Sequence, residues 1–307
     1  MLFLNIAKIN NFKIEGGNLK KYYKKSILAL LVSVLTINSL ATPINAKSKK
    51  PKEDEMEQFI EFEENKVKDI FSLFSDQGEL NWYYVGKGKD IVAEGPKESV
   101  DFLKENDACY LGDTSKKVIY LTFDEGYENG NTGKILDTLK KLNVPAAFFV
   151  VKPYIDTEPD LIKRMVDEGH LVCNHSSHHP SMASIHDKAK FESEFTEVEE
   201  AYKKVVGKDM PKYFRPPMGK YSKDSLKMTK DLGYKSVFWS FAYKDWLVKN
   251  QPAESFAINK ITNGAHPGCI MLLHAVSDTN AKILDTVIKK LQDDGYEFKS
   301  LNELPTE

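Results

Sequence analysis

From Lys117 onward the chain alternates short apolar runs with longer stretches in which apolar residues recur every three or four positions. Val118–Phe123 is β-branched, apolar and aromatic, the composition of a buried strand. Gly133–Leu142 carries Ile135, Leu136, Leu139 and Leu142 at helical spacing, so a helix should follow. The same reading predicts strands at Pro145–Val151, Leu171–Asn174, Tyr213–Arg215, Ser236–Ser240, Cys269–His274 and Tyr296–Lys299. It predicts helices at Pro159–Glu168, 188–206, Ser222–Leu232, Ala253–Asn263 and Ala281–Asp293. Gly169, Gly207, Gly233 and Gly295 stand where these helices must stop. Repeated strand–helix units predict an α/β fold with a parallel sheet, closed as a barrel or doubly wound. In either architecture, groups that handle a ligand lie at the carboxyl ends of the strands.

Upstream the pattern weakens. Residues 76–115 read as irregular structure with a short helix near Glu98–Glu105, and 56–75 as an acidic, weakly amphipathic helix. Their apolar content is thin for a separate core, so they are expected to pack on the barrel; Trp82, Tyr83 and Tyr84 read as packing residues, with a place lining a glycan groove as the alternative. Residues 47–55 form a charged linker. Before it, Lys20, Lys21, Lys24 and Lys25 precede an apolar run from Ile27 to Leu40, which ends in small residues at Ala46. That three-part shape predicts a secretory signal, with an uncleaved N-terminal anchor as the alternative. Residues 1–19 add nothing to the signal, whose basic region would read naturally if translation began near Leu19. The expected organisation is therefore 1–46 signal or anchor, 47–115 linker and helical or irregular extension, and 116–300 the catalytic-sized domain.

Composition narrows the class. Hydrophobic residues make up 41% and charged residues 29% of the 307, ordinary for a soluble globular chain. A net charge of −2 argues against a nucleic-acid binder, so no nucleic-acid partner is expected. Without residues 1–46, six lysines and Glu15 are lost, leaving 37 basic against 44 acidic residues and a net of −7. Such a chain cannot gather an anionic polymer by bulk attraction, so recognition should be local to a groove. Cys109, Cys173 and Cys269 are too few for a disulfide framework and are expected as buried small apolar residues.

The chemistry sits at the predicted strand ends. The first strand runs into Asp124-Glu125-Gly126, the third into His175-Ser176-Ser177-His178-His179, and the fourth into Arg215-Pro216-Pro217-Met218-Gly219. The fifth leads to Asp245-Trp246, and the sixth ends in His274. Taken singly, each fits a solvated turn, a polar loop or a structural histidine. Histidines at i and i+4 can place two imidazoles on one metal, but two are not a site without a third ligand. Five such segments at matching ends point to one hydrolytic constellation.

Together these segments resemble the polysaccharide deacetylase (NodB-homology) family, carbohydrate esterase family 4. That family carries Thr-Phe-Asp-Asp-Gly, His-Ser/Thr-x-x-His, Arg-x-Pro-x-Gly, Asp-Trp and Leu-x-His. The corresponding residues here are 122–126, 175–179, 215–219, Asp245-Trp246 and 272–274, in the same order. The resemblance implies a distorted (β/α) barrel whose groove holds a glycan and removes its N-acetyl groups. It implies one divalent metal ion, zinc first, with cobalt or manganese as alternatives. His175 and His179 would be ligands; the third falls on Glu125, where the family has Asp. Asp124 would be the general base, held by Arg215. His274 would be the general acid, kept protonated by Asp245, with Trp246 in the groove wall. The Met218 backbone N–H would help form the oxyanion hole. These roles suit amide hydrolysis, because Arg beside Asp lowers its pKa while a carboxylate beside His raises the imidazole's.

Tyr120–Gly130, Phe238–Ala242 and the segments 266–268 and 274–277 are similar to the PdaA-type sporulation subgroup. That implies an exported enzyme of the cell wall or spore-cortex space. It would act on N-acetylmuramic acid in peptidoglycan strands after an amidase has removed stem peptides, toward muramic δ-lactam. The alternatives are an N-acetylglucosamine deacetylase on peptidoglycan or chitin, an acetyl ester hydrolase, and a non-catalytic wall-binding module on the same scaffold.

Overall fold

The computed structural model describes residues 78–305. The signal or anchor at 1–46, the linker at 47–55 and the expected helix at 56–75 lie outside the described residues.

The sheet strands are β2 (Ala108–Cys109), β3 (Val118–Glu125), β4 (Ala146–Val150), β5 (Leu171–Asn174), β6 (Tyr213–Phe214), β8 (Lys235–Val237), β9 (Cys269–His274) and β10 (Glu297–Phe298). A separate pair, β1 (Leu80–Asn81) and β7 (Lys220–Tyr221), is antiparallel. All pairing in the large sheet is parallel, in the order β10-β3-β4-β5-β6-β8-β2, with β9 also on β3. The sheet curls because the chain leaving β8 meets β9: Ser240 N donates to Ile270 O at 3.0 Å and Leu272 N to Phe241 O at 2.9 Å. The result is the expected distorted (β/α) barrel.

β3 is the axis of the molecule, buried along its whole length. Side chains alternate across a strand, so its two sets serve two cores. Ile119, Leu121 and Phe123 pack outward under the helices, while Val118 and Tyr120 pack inside the barrel with Phe149, Val237 and Ile270. The outer layer comprises α2 (Thr132–Leu142), α3 (Lys152–Thr157), α4 (Pro159–Asp167), α5 (Lys188–Val206), α6 (Lys223–Asp231), α7 (Glu254–Gly264) and α8 (Asp278–Asp293), with α1 (Val100–Glu105) in the extension. Gly207 ends α5 in the left-handed conformation at φ 77°, as its position predicts.

Besides the short β1–β7 pair, two elements lie beyond the periodic pattern. α3 fills the segment between β4 and α4, and β2, in the upstream region, joins the sheet beside β8. The extension is thus part of the barrel wall and more than a covering. Trp82 stacks on Phe238 with ring centroids 4.3 Å apart and donates from Nε1 to Trp239 O at 2.9 Å. Tyr84 Oη donates to Ala242 O at 2.8 Å. Both act as packing residues, while Tyr83 is exposed and reaches Glu98. Cys173 and Cys269 are fully buried, Cys109 half-buried, and none is disulfide-bonded.

Candidate active site

The carboxyl ends of β3, β5, β6 and β9 open onto one groove of about 680 Å³. It is lined by Asp124, His175, His179, Met218, Trp246 and His274, bringing six of the expected site residues together. Arg215 and Asp245 lie behind this lining, both at 0% exposure.

Asp124 ends the inward-facing set of β3. Arg215 Nη1 donates to its Oδ1 at 2.7 Å, and the guanidinium is fixed by an Nε bond to Val237 O at 3.0 Å. The Phe149 ring lies 4.1 Å beneath the guanidinium carbon, excluding water from that side. Burial alone would raise the Asp124 pKa, but Arg215 first, then His175 and His274, outweigh it and hold the carboxyl below its usual range. His175 Nε2 faces Asp124 Oδ2 at 3.6 Å while its Nδ1 donates to Arg215 O at 2.8 Å. Burial lowers the His175 pKa to about 4, leaving a neutral imidazole.

A second dyad stands across the groove. His274 Nδ1 donates to Asp245 Oδ1 at 2.7 Å, and the His274 amide donates to Asp245 Oδ2 at 2.9 Å. Asn280 Nδ2 adds a 2.6 Å bond to Oδ2, so three donors saturate the buried carboxylate. Burial pushes the His274 pKa down, yet Asp245 more than compensates and raises it above the ordinary value. Trp246 is half-exposed beside His274, ring centroids 5.3 Å apart, and forms groove wall as expected. The two shifts run in the directions that a general base and a general acid require.

Two local backbones place the remaining groups. The His175–His179 segment is not helical; Ser176 and His179 adopt left-handed φ of 68° and 57°. That tight loop, closed by a His179 N bond to Ser176 Oγ at 2.9 Å, sets the two imidazoles 4.9 Å apart. Met218 also has a left-handed φ, 58°, uncommon for a side chain of this size and consistent with a loop held for function. The next residue, Gly219, is clamped between Trp239 and Trp82, and its carbonyl accepts from Trp82 N at 2.7 Å.

Glu125 corrects the expected ligand set. It alternates with Asp124 along β3 and is absent from the groove lining. Its surroundings are Glu128, Thr132 and Tyr154, on the helix side of the strand. It is fully buried, and neither carboxylate oxygen has a hydrogen-bond partner. Burial, then Glu128 and Asp124, raise its pKa well above the usual range; Thr132, whose hydroxyl accepts from Tyr154, offsets the least. No group of three His, Cys, Asp or Glu able to hold a metal is formed among the described residues. The residues expected as ligands therefore do not fit a three-ligand site, because one side chain cannot share Asp124's face of an extended strand.

Several groove residues take no role from the sequence, although Trp239 lies in the Phe238–Ala242 segment. Trp239, Tyr243 and Lys244 line the cavity, and Asn280 orients Asp245. The only prior sign of Asn280 is a polar side chain at the start of an otherwise apolar helix face.

A curled parallel sheet bearing an arginine–aspartate pair and an aspartate–histidine pair at one carboxyl edge defines a barrel hydrolase that works by acid–base chemistry. The polysaccharide deacetylase family model matches residues 111–237. The peptidoglycan-N-acetylmuramic acid deacetylase PdaA of Bacillus subtilis is 44% identical over 73% of this chain and 85% of its own. The solved structure of that protein, described as a family 4 carbohydrate esterase, aligns with a TM-score of 0.72 at 43% identity, covering 74% of this chain and 97% of the other. The peptidoglycan-N-acetylglucosamine deacetylase PgdA of Listeria monocytogenes is 34% identical over 62% of this chain and 39% of its own. The chain belongs to the polysaccharide deacetylase family and is a polysaccharide deacetylase.

Proposed function

We propose that the protein removes the N-acetyl group from N-acetylmuramic acid residues of peptidoglycan. The carrying observation is the pair of opposed dyads in one groove, joined to 44% identity with a relative named for that activity. In this reading Asp124 takes a proton from the attacking water, and Arg215 keeps it ionised while fixing its orientation. The Met218 N–H stabilises the tetrahedral oxyanion. His274 delivers the proton that lets the amine leave, and Asp245, by raising the proton affinity of the imidazole, favours its entering that step protonated. His175 and His179 face the reaction side of Asp124 as neutral donors or acceptors.

The basic-apolar-small pattern of residues 1–46 supports export to the wall or spore-cortex space, where glycan strands already stripped of stem peptide by an amidase would be the substrate. The experiment is acetate release from peptide-free glycan strands, intact peptidoglycan and chitin oligomers, with Asp124→Asn as control. Release from muramic residues of stripped strands is expected, with the variant slower by about 10²- to 10⁴-fold. Release from chitin oligomers alone would support the N-acetylglucosamine reading instead.

A further inference from the structure

The groove carries one charge that the reaction does not use. Asp124 is balanced by Arg215, and Asp245 by His274. Lys244 lines the same groove, is exposed, and pairs with no acid among the described residues. Its direction is set by its neighbours. Tyr243 Oη donates to Asn280 Oδ1, and Asp245 accepts from Asn280 Nδ2, so the residues on either side are both tied inward to one side chain. Ala242 is held as well, its carbonyl and amide both bonded to Tyr84 Oη at 2.8 and 3.2 Å. Tyr243 and Asp245 are buried, whereas Lys244 and Trp246 are exposed and line the groove together with His274.

We infer that Lys244 is the residue that recognises the carboxylate of a 3-O-lactyl amino sugar, and so separates this substrate from its neutral N-acetylhexosamine counterpart. The inference rests on the muramic reading above. An ammonium on a flexible stem is a point charge that finds a carboxylate without a fixed fork geometry. In a groove whose other charges cancel, one unopposed cation decides which of two otherwise similar sugars is favoured. It also answers how a chain of net negative charge binds an anionic strand: attraction is confined to a single groove residue.

The test compares wild type, Lys244→Met and Lys244→Arg by kcat and KM on two substrates. One is peptide-free strands with free lactyl carboxylates; the other is the same strands with those carboxylates converted to amides. On free carboxylates, Lys244→Met is expected to raise KM about fivefold to tenfold, as for a partly exposed charge pair, with kcat within about twofold. Lys244→Arg retains most of the affinity. On amidated strands, wild type shows the raised KM and the methionine variant adds nothing to it. Equal loss on both substrates would make Lys244 a merely structural residue, and no loss on free carboxylates would overturn the assignment while leaving the muramic reading intact. Wild type that releases no acetate from lactyl-bearing residues overturns the substrate reading and the assignment with it.

Discussion

At the scale of single residues, adjacent carboxylates on one strand have opposite fates. Asp124 faces the groove and keeps its charge through Arg215; Glu125 faces the helices and finds no partner. The stability consequence of Glu125 has a definite sign. Its folded pKa is raised well above the ordinary 4.5, so above that pH the unfolded chain loses a proton the folded chain still holds. Stability therefore falls as pH rises from about 4.5 toward the folded value. Glu125→Gln removes that loss, and its Tm should match wild type near pH 4 and exceed it at pH 7. A wild type that gains on the variant with rising pH would place Glu125 as an ionised, partnered carboxylate. His274 supplies a second sign. Asp245 holds the imidazole protonated above its usual pH, so Asp245→Asn should move the alkaline limb of the rate profile toward lower pH and reduce kcat about tenfold or more. An unmoved alkaline limb would show that another group sets it. The residues of both dyads were legible in the sequence because Asp124 and His274 close strands, Arg215 directly follows one, and Asp245 stands in the Asp-Trp pair, all within spaced motifs. The face of Glu125 was not, because adjacency in sequence conceals a reversal of direction that only the extended backbone of β3 makes plain.

At the scale of elements, the loop after β6 is shaped from outside itself. Gly219 has φ 65°, and a Cβ there would meet the Trp239 ring at 2.8 Å and Trp82 Cβ at 3.1 Å. Gly207, ending α5 at φ 77°, has nothing within 4 Å of the same position. The two glycines therefore separate backbone strain from crowding. Gly207→Ala should cost only the left-handed penalty, about 1–2 kcal/mol by urea unfolding, and leave kcat unchanged. Gly219→Ala adds overpacking, bringing the cost to about 2–4 kcal/mol, and should lower kcat because it displaces the neighbouring Met218. Equal costs with equal activity would mean that the tryptophans yield freely and do not hold the loop. The helices and longer strands from Lys117 onward, the short helix α3 apart, were readable from periodicity because each buries a regular face. The β1–β7 pair was not, since two-residue strands carry too few positions to establish any period.

At the scale of the whole molecule, the barrel does not begin where the regular pattern begins. β2 covers the edge of β8 through Ala108 and Cys109, and Leu111 bridges Cys269. Gly112 N donates to Gly268 O at 2.8 Å, and a Cβ on Gly112 would lie 2.0 Å from the Tyr120 ring, so this segment lies directly against the interior of the barrel. Trp82, Leu103, Tyr221, Leu226 and Phe238 form a shared cluster across the same boundary. A chain beginning at residue 116 would expose an unpaired parallel strand edge and the apolar surface of Phe238 and Tyr221 together. A chain beginning at residue 78 retains both covers. The shorter chain is expected to aggregate or to lose cooperative unfolding, while the longer one shows a single urea transition with near-native circular dichroism. A chain starting at 116 that unfolds cooperatively at the same urea midpoint would show that the upstream segment only decorates a self-sufficient barrel. The physical reason to expect otherwise is that a parallel sheet must be covered on both faces and at its edges, and here the sheet's last edge is closed by residues that precede its first long strand.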